Sequence, residues 1–277
     1  NQMSKFGFSN SYVGFSNEPA IELAAKIVEL AYDNMQALFF TNSGSESNET
    51  SFKAARYYWS VKGRPEKVKI ISRVEAYHGN TLAAMSMTGM SDFYQNFGPR
   101  VPEIIPAVSV EPKSYGGCRI DPGNNDINNI IETIEQEGAD SIAGIIAEPV
   151  QGAGGVHPPP DDYFRKLRNI CDETNCILIF DEVVSFRLSS GGAQEMYSVK
   201  PDLTALGKLI GGGLPVGAFG GREDIMSLFN PMKTKNQQPV VRWNRYRSQR
   251  IGKDRFFFGQ REEADRETTE RERIYSK

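Results

Sequence analysis

The sequence predicts an α/β fold in which a mostly parallel β-sheet is flanked by helices. From residue 20 to about residue 225, stretches with the 3.6-residue period of an amphipathic helix alternate with short apolar runs of strand length. The composition fits this class, because 277 residues with 39% hydrophobic and 24% charged side chains can bury the core of one large domain or two smaller ones.

The pattern begins with residues 21–30, which read as an amphipathic helix, and continues with the apolar run 37–40, which reads as a strand. The turn Asn42-Ser43-Gly44 then leads into a helix over residues 45–60. A second apolar run predicts the next strand at residues 68–72.

The second half of the pattern repeats this alternation. We expect helices at 127–136 and 163–174, and strands at 142–147, 177–180 and 216–219. The Gly- and Pro-rich loop between Glu148 and Asp161 is long for a plain crossover. Long ordered loops in compact α/β domains are disproportionately functional.

Three segments are expected along the chain. Residues 1–20 are the remnant of an N-terminal segment, residues 21–231 form the large domain, and residues 232–277 form an atypical tail. The tail carries 13 Lys and Arg against 7 Asp and Glu, whereas the preceding residues are acidic, and it lacks a core-forming period. A basic arm for nucleic acid, simple disorder, and a reading-frame or gene-model error are the alternatives for it.

The composition argues against several classes of partner and site. A net charge of −3 argues against nucleic acid as the main partner, and no apolar run approaches the roughly 18 residues that a membrane span requires. The three cysteines form no CxxC pair, so neither a disulfide framework nor a metal site is expected. No signal-peptide-like leader is present, which makes the cytoplasm the expected compartment, although a chain that begins with Asn1 is expected to have lost an upstream segment.

The most informative residue is Lys208, which lies in the glycine-rich run 207–213, 27 positions after Asp181. An amine on such a loop, near a carboxylate that ends an apolar strand, is what a protein needs to hold pyridoxal 5′-phosphate (PLP) as a Schiff base. Asp181 would pair with the protonated ring nitrogen of this cofactor. Taken singly, Lys208 also fits a solvated surface charge, and Asp181 also fits a helix cap or a metal ligand.

Two further groups of residues fit the same cofactor. The turn Ser43-Gly44-Ser45 precedes a helix, whose N-terminal N–H groups and dipole favour a phosphate, although such a turn also fits an ordinary helix cap. Tyr77-His78-Gly79 follows a strand and offers an aromatic face for the ring, with Val183 as the opposite wall. Tyr77 also fits a core aromatic residue, and His78 also fits a surface turn.

Glu148 follows the strand 142–147 and either holds an active-site arginine or organises the loop. Gln151 is a candidate for a supporting donor, and His157 is assigned to the loop. All the candidate residues come just after strands, which is where open α/β sheets place their ligands.

Taken together, these motifs strongly resemble class III PLP-dependent aminotransferases over roughly residues 10–231. The motifs are 43–49 (Ser-Gly-Ser-Glu-Ser-Asn-Glu), 77–79, 148–151 (Glu-Pro-Val-Gln), 181–183 (Asp-Glu-Val) and 206–213. This family includes ω-transaminases, β-amino-acid aminotransferases and glutamate-1-semialdehyde aminomutases.

The resemblance implies the large domain of a fold-type I transferase, an α/β/α sandwich, and a homodimer when the protein is complete. It implies that Lys208 forms the Schiff base and carries the proton, that Asp181 pairs with the ring nitrogen, and that Gly44 and Ser45 bind the phosphate. It also implies that Tyr77 and Val183 sandwich the ring.

The sequence departs from the family in two places. Val184, Ser185 and Phe186 stand where many members carry Gln and then Thr-Gly, which leaves the contact to the cofactor's phenolic oxygen open. Beyond Pro231 neither the family's Gly-Thr segment nor its small C-terminal domain is recognisable, so the chain is expected to be truncated.

The expected activity is transfer of an amino group from an amino acid or amine to a 2-oxo acid or aldehyde. Two alternatives stay open at this point, a 2,1-aminomutase of the glutamate-1-semialdehyde type and a catalytically silent PLP-binding fragment.

Overall fold

The computed structural model describes residues 2–5, 16–107, 124–230 and 246–247, and it confirms the predicted α/β class. The predictions for the N-terminal remnant and the basic tail lie largely outside these residues, and they stay predictions. In the described part of the chain, no helix has the length and apolar character needed to cross a membrane.

The described helices and strands follow one another in chain order. The helices are α1 (Gln2–Lys5), α2 (Glu18–Leu30), α3 (Gly44–Val61), α4 (Leu82–Met87), α5 (Asn124–Glu137), α6 (Tyr163–Glu173), α7 (Gly192–Met196) and α8 (Glu223–Met226). The strands are β1 (Ala37–Thr41), β2 (Lys69–Arg73), β3 (Ile104–Ala107), β4 (Ile142–Ala147), β5 (Ile177–Asp181), β6 (Leu203–Leu206), β7 (Gly217–Gly221) and β8 (Tyr246–Arg247).

The strands form one sheet in the order β3-β2-β4-β5-β6-β7-β1-β8. The five strands from β3 to β6 in this order run parallel, whereas β7 is antiparallel to both β6 and β1. Because β7 reverses direction between them, β1 and β6 run the same way and their last residues, Thr41 and Leu206, lie at the same edge. The loops that follow β1, β2, β4, β5 and β6 therefore meet at one edge of the sheet.

The sheet is buried on both faces, which explains why its strands are continuous apolar runs. One face packs against α3 and α4 through a cluster that includes Trp59, Ile70 and Ile146. The other packs against α5 and α6 through a cluster that includes Ile71 and Leu178. Neighbouring residues such as Ile70 and Ile71 thus enter different cores, as the two-residue period of a strand requires.

Helix α2 begins three residues earlier than the period predicts, because Asn17 caps it. The Asn17 side chain accepts a hydrogen bond from the Ala20 N–H at 3.0 Å, and Pro19 occupies the first turn, where its missing N–H costs nothing.

An ion network ties the opposite edge of the sheet together. Asp202, which directly precedes β6, is buried, and its Oδ2 accepts hydrogen bonds from the Leu178 N–H at 2.7 Å and from Arg168 at 2.9 Å. Its Oδ1 accepts a third from Arg222, which follows β7. One carboxylate thus joins the start of β5 and the start of β6 to helix α6 and to the end of β7.

We expect Asp202→Ala to lower the free energy of unfolding by about 3–5 kcal/mol, because it leaves the partly buried Arg168 cation and a buried backbone N–H without their acceptor. Urea denaturation measures the change. The matched control is Asp162→Ala, which removes an exposed ion pair with Arg165 and is expected to cost no more than about 0.5 kcal/mol. Equal losses of unfolding free energy in the two variants would show that the Asp202 network contributes no more than an exposed ion pair.

Candidate active site

The predicted site residues lie in the loops at the carboxyl edge of the sheet. Asp181 ends β5, Glu148 follows β4, and Gly207-Lys208 follow β6. Ser43 and Gly44 follow β1, and Tyr77-His78-Gly79 lie shortly after β2.

Asp181 is 5% exposed and is held by three hydrogen bonds. Its Oδ2 accepts from Asn48 Nδ2 at 2.7 Å and pairs with His78 Nδ1 at 2.8 Å. Its Oδ1 accepts from the Val183 N–H at 3.1 Å. A buried carboxylate requires such partners, and here they come from α3, from the loop after β2 and from the strand's own turn.

His78 is a buried member of the site and not a surface turn residue. It is 2% exposed, its N–H donates to Thr88 Oγ1 at 3.1 Å, and its carbonyl accepts from Asn48 Nδ2 at 2.8 Å. Nε2 of its ring is buried and has no hydrogen-bond partner among the described residues.

Asn48 belongs to the same hydrogen-bonded group, although the sequence analysis gave it no role. It lies one helical turn after Gly44, on the buried side of α3, and it donates to both Asp181 and His78. Its place in the motif 43–49 could have marked it as a site residue. Its partners could not be predicted, because they lie 30 and 133 residues further along the chain.

The turn at residues 43–45 is both a helix cap and a close-packed cradle. Ser43 Oγ accepts from the Glu46 N–H at 3.2 Å, so Ser43 is the N-cap of the 18-residue helix α3. A Cβ on Gly44 would lie 2.7 Å from both Val183 methyl groups, and a Cβ on Gly207 would lie 3.1 Å from the Gly44 backbone. Val183 and the residue before Lys208 thus contact the first turn of α3.

The segment 77–79 packs against the same turn. Gly79 has φ 134°, and a Cβ there would lie 2.8 Å from Ser45 Cα. Ser45 Oγ donates to Asn80 Oδ1 and accepts from the Asn80 N–H, both at 3.1 Å. The half-buried Tyr77 ring packs edge-on against Phe93, with 5.0 Å between the ring centroids.

Glu148 organises the loops, and its carboxylate holds no arginine among the described residues. Its two oxygens accept from the Tyr77 N–H at 2.8 Å and the Gly152 N–H at 3.1 Å. Burial raises the pKa of Glu148, nearby Asp181 raises it further, and His78 opposes the shift. Arg73 donates to the Glu148 backbone carbonyl.

The other two residues of this loop serve its structure. Gln151 donates to the Val74 carbonyl at 2.8 Å, and His157 Nε2 bonds the Gly154 carbonyl at 2.9 Å. His157 therefore belongs to the loop, as expected.

Glu182 points away from the position that Asp181 occupies, as successive residues of a strand do. It is buried and accepts hydrogen bonds from the N–H groups of Ala193 and Gln194 and from Ser185 Oγ. Burial raises its pKa, and these hydrogen bonds oppose the shift. Glu182 thus caps α7 and takes no part in the Asp181 group.

Lys208 begins a single helical turn, Lys208–Gly211, directly after β6. It is exposed, and its φ of 44° places it in the left-handed region, which costs about 1 kcal/mol or more for a residue with a side chain. Ser47 Oγ donates to the Leu206 carbonyl at 2.8 Å and so ties the approach to Lys208 to α3.

The sequence also matches a known protein family. The model of the Aminotransferase class-III family matches residues 1–237. The chain belongs to the class III aminotransferases.

Three known proteins illustrate the likeness. A mitochondrial gamma aminobutyrate transaminase 1 of Solanum lycopersicum is 36% identical over 78% of this chain and 44% of its own length. A glutamate-1-semialdehyde 2,1-aminomutase of Francisella philomiragia is 42% identical over 76% of this chain and 45% of its own length. The structure of an (S)-enantioselective ω-transaminase from Thermomicrobium roseum has 38% identity and a TM-score of 0.73, and the match covers 82% of this chain and 52% of that one.

The chain therefore spans about half the length of the relatives it matches. Family membership implies PLP as the cofactor, and one solved relative, an amine transaminase from an uncultivated Pseudomonas species, is described in its PLP-bound form. The glycine-lined cradle and the buried acid of this class III aminotransferase fit such a group, because they offer close backbone approach for an anion and a carboxylate for a cationic ring.

Gly79→Ala is expected to lower the free energy of unfolding by about 2–4 kcal/mol, since the new methyl group meets Ser45 and the residue must keep a positive φ. Gly63→Ala is the control. Gly63 has φ 77° but open space around it, so only the backbone cost of about 1 kcal/mol applies there. Urea denaturation measures both variants, and a Gly79→Ala cost no larger than the control would contradict the close contact.

Glu182→Gln is expected to change the pH dependence of stability. Because the folded protein keeps the Glu182 proton to a higher pH than the unfolded chain does, this residue makes the free energy of unfolding fall as pH rises from about 4.3 to its raised pKa. The free energy of unfolding of the wild type minus that of Glu182→Gln should therefore decrease as pH rises across this window, by at most about 1.4 kcal/mol per pH unit.

Urea denaturation at several pH values measures this difference. Glu195→Gln is the comparison, because hydrogen bonds from Ser189 and the Gly191 N–H lower the pKa of Glu195 and give its contribution the opposite sign. If the difference in free energy of unfolding between wild type and Glu182→Gln stayed constant or rose with pH, the raised pKa of Glu182 would be contradicted.

Proposed function

We propose that this chain is the cofactor-binding part of a PLP-dependent aminotransferase, which moves an amino group from an amino acid or amine to a 2-oxo acid or aldehyde. The observation that carries the proposal is the buried Asp181, held by Asn48 and His78, at the edge where Lys208 follows β6. A carboxylate held in this way suits a cationic ring nitrogen, and a lysine on a neighbouring loop suits an aldehyde.

The phosphate of the cofactor is assigned to the start of α3. Gly44 and Ser45 are the first residues of this helix, and no preceding helical carbonyl accepts their N–H groups. The dipole of the helix adds to the attraction for a dianion, and Gly44 carries no Cβ that would hold the anion away. Ser43 supports the cradle as the cap of the helix.

The faces of the ring are assigned to Tyr77 and Val183. Val183 lies two residues after Asp181 and contacts the cradle at Gly44, so one residue links the acid to the phosphate end of the site. Glu148 holds the backbone at Tyr77 and Gly152, which fixes the aromatic side. His78 and Gly79 complete the segment, the former by contacting Asp181 and the latter by packing on Ser45.

PLP, when bound, supplies an electron sink that stabilises charge at the carbon that loses a proton. The chain's own contribution to this chemistry is the amine of Lys208, which takes the proton from one carbon and returns it to another. Its exposed position on a short turn after β6 gives the side chain room to move between the two positions.

Of the two alternatives, the aminomutase is not favoured. The relatives that match include several transaminases with different amino donors beside one aminomutase, and the solved structures that match include several transaminases. We also propose that the complete protein is a homodimer and acts in the cytoplasm, with a small amino donor and an oxo acceptor as its only partners in the reaction.

Lys208→Ala is expected to abolish the visible absorbance that the purified chain gains with PLP, and to lower any amino transfer at least about a hundredfold, because the proton carrier is lost. Absorbance spectroscopy and single-turnover assays with an amino donor measure the two effects. Lys200→Ala is the control, since Lys200 is exposed and pairs with Asp33 outside the site.

The same assay distinguishes the alternatives. A transaminase stalls after one turnover without an oxo acceptor, whereas an aminomutase continues. A chain that gains no Lys208-dependent absorbance would be a silent fragment, and the proposed function would be wrong for it.

A further inference from the structure

We propose that a cavity beside the start of α3 binds a primary aliphatic ammonium ion, and that this site is separate from the candidate active site. The cavity has a volume of about 480 Å³, which is within the usual range for small-molecule sites. It lies between the end of β1, the first three turns of α3 and the residue that precedes α4. None of the residues assigned above to PLP lines it, so the inference goes beyond the proposed function and does not depend on it.

Two glutamates of α3 give the cavity a negative charge. Glu46 and Glu49 are three residues apart, so they lie on adjacent turns of one helix face. Each uses one carboxylate oxygen for the protein's own contacts. Glu46 Oε2 accepts from the Asn42 N–H at 2.7 Å, and Glu49 Oε2 accepts from the Ala83 N–H at 3.3 Å. The Oε1 atoms of both accept no hydrogen bond among the described residues. Because these two glutamates are opposed by only one lysine of the lining, Lys53, the cavity attracts a cation.

A buried hydroxyl group on the same lining lacks a hydrogen bond. Thr50 is 7% exposed, and its hydroxyl group has no partner among the described residues. The neighbouring Ser47 and Ser51 differ, because each donates to the carbonyl four residues earlier in the chain, at 2.9 Å. Thr81 also lines the cavity, and its buried hydroxyl oxygen has no partner in the part of the chain that the structure describes. Since a buried hydroxyl group without a partner is unfavourable, Thr50 favours a ligand that donates hydrogen bonds.

The chemistry of the lining favours an alkylammonium ion over a metal ion. Among the described residues, no group of three or more His, Cys, Asp and Glu side chains could hold a metal ion. An ammonium group donates three hydrogen bonds, which match the open oxygens of Glu46, Glu49 and Thr50. The half-buried Phe39 and Phe40 supply apolar surface for a hydrocarbon chain, and aromatic rings also attract a cation.

The test uses the full chain with no PLP added, and n-hexylammonium as the probe. Titrations followed by ligand-detected NMR should show saturable binding, with a dissociation constant on the order of 1 mM. n-Hexanol has the same hydrocarbon chain without the charge, and hexyltrimethylammonium has the charge without an N–H group. Both should bind at least about tenfold more weakly, because each loses part of the contact with the two carboxylates.

Two conservative variants locate the site. Glu49→Gln keeps an oxygen for the Ala83 N–H but removes the charge, and it should weaken hexylammonium binding roughly tenfold. Thr50→Val keeps the size of the side chain and removes only the hydroxyl group. It should weaken binding about three- to tenfold without lowering the free energy of unfolding in urea. Glu29→Gln is the matched control, because Glu29 is exposed and pairs with Lys26 away from the cavity.

Several outcomes would overturn the inference. They are equal affinity for hexylammonium and n-hexanol, uptake that does not saturate, unchanged affinity in both Glu49→Gln and Thr50→Val, and equal weakening in Glu29→Gln. Displacement of the probe by Mg²⁺ at a lower concentration would also overturn it, because the site would then be a metal site.

The Lys208→Ala variant separates this inference from the proposed function. It should bind hexylammonium as the wild type does, and loss of binding there would place the amine at the candidate active site instead. A chain that gains no Lys208-dependent absorbance with PLP, but still binds the probe in the Glu49-dependent way, would contradict the proposed function alone.

Discussion

The site depends on the requirement that a carboxylate buried at the end of a central strand be hydrogen-bonded. β5 lies between β4 and β6 and is covered on both faces, so Asp181 is almost fully removed from water. Its three hydrogen-bond partners come from three separate parts of the chain. Satisfying one acid therefore fixes helix α3 and the segment after β2 relative to the sheet, which places the predicted cradle and the predicted aromatic wall.

Close backbone packing adds a second constraint at the same edge. A Cβ would clash with Val183 at Gly44 and with the Ser43 carbonyl at Gly217, and a Cβ at Gly207 would crowd the Gly44 backbone. This close packing depends on the antiparallel direction of β7. The start of β7 pairs with the end of β1 on one side and with the end of β6 on the other. The start of α3, the turn after β5 and the turn that carries Lys208 are thus in mutual contact.

Much of this arrangement was predictable, and the parts that were missed have physical reasons. Long apolar runs such as β4 were located to the residue, because a strand buried on both faces leaves a continuous signal. β3 was missed because Pro106 interrupts a four-residue run at the sheet edge, and β6 because it is short and directly precedes the glycine-rich loop. Strand direction leaves no trace in hydrophobicity, so β7 was predicted as a strand but its antiparallel direction was not.

The predictions for the site were limited in the same way. The position of a candidate residue just after a strand is local information, and it located Asp181, Glu148 and Lys208 at the correct edge. The partner of a polar side chain is not local information. Asn48 looks like any polar residue of a helix, and nothing near it in the sequence points to an acid 133 residues away. The place of a site residue in the fold can thus be predicted from its neighbours in the sequence, whereas its hydrogen-bond partners cannot.

The two buried acids of the site show how environment separates residues of the same chemical type. Glu148 accepts backbone N–H groups from two loops, and burial together with the nearby Asp181 raises its pKa. Glu148 therefore takes up a proton at a higher pH than an exposed glutamate, and above that pH it adds a second negative charge close to Asp181 and His78. Repulsion between the two buried carboxylates is one cause of the raised pKa of Glu148, and burial is the larger one. The two acids thus differ in their partners: Asp181 is held by two side chains and the Val183 N–H, and Glu148 by the N–H groups of Tyr77 and Gly152.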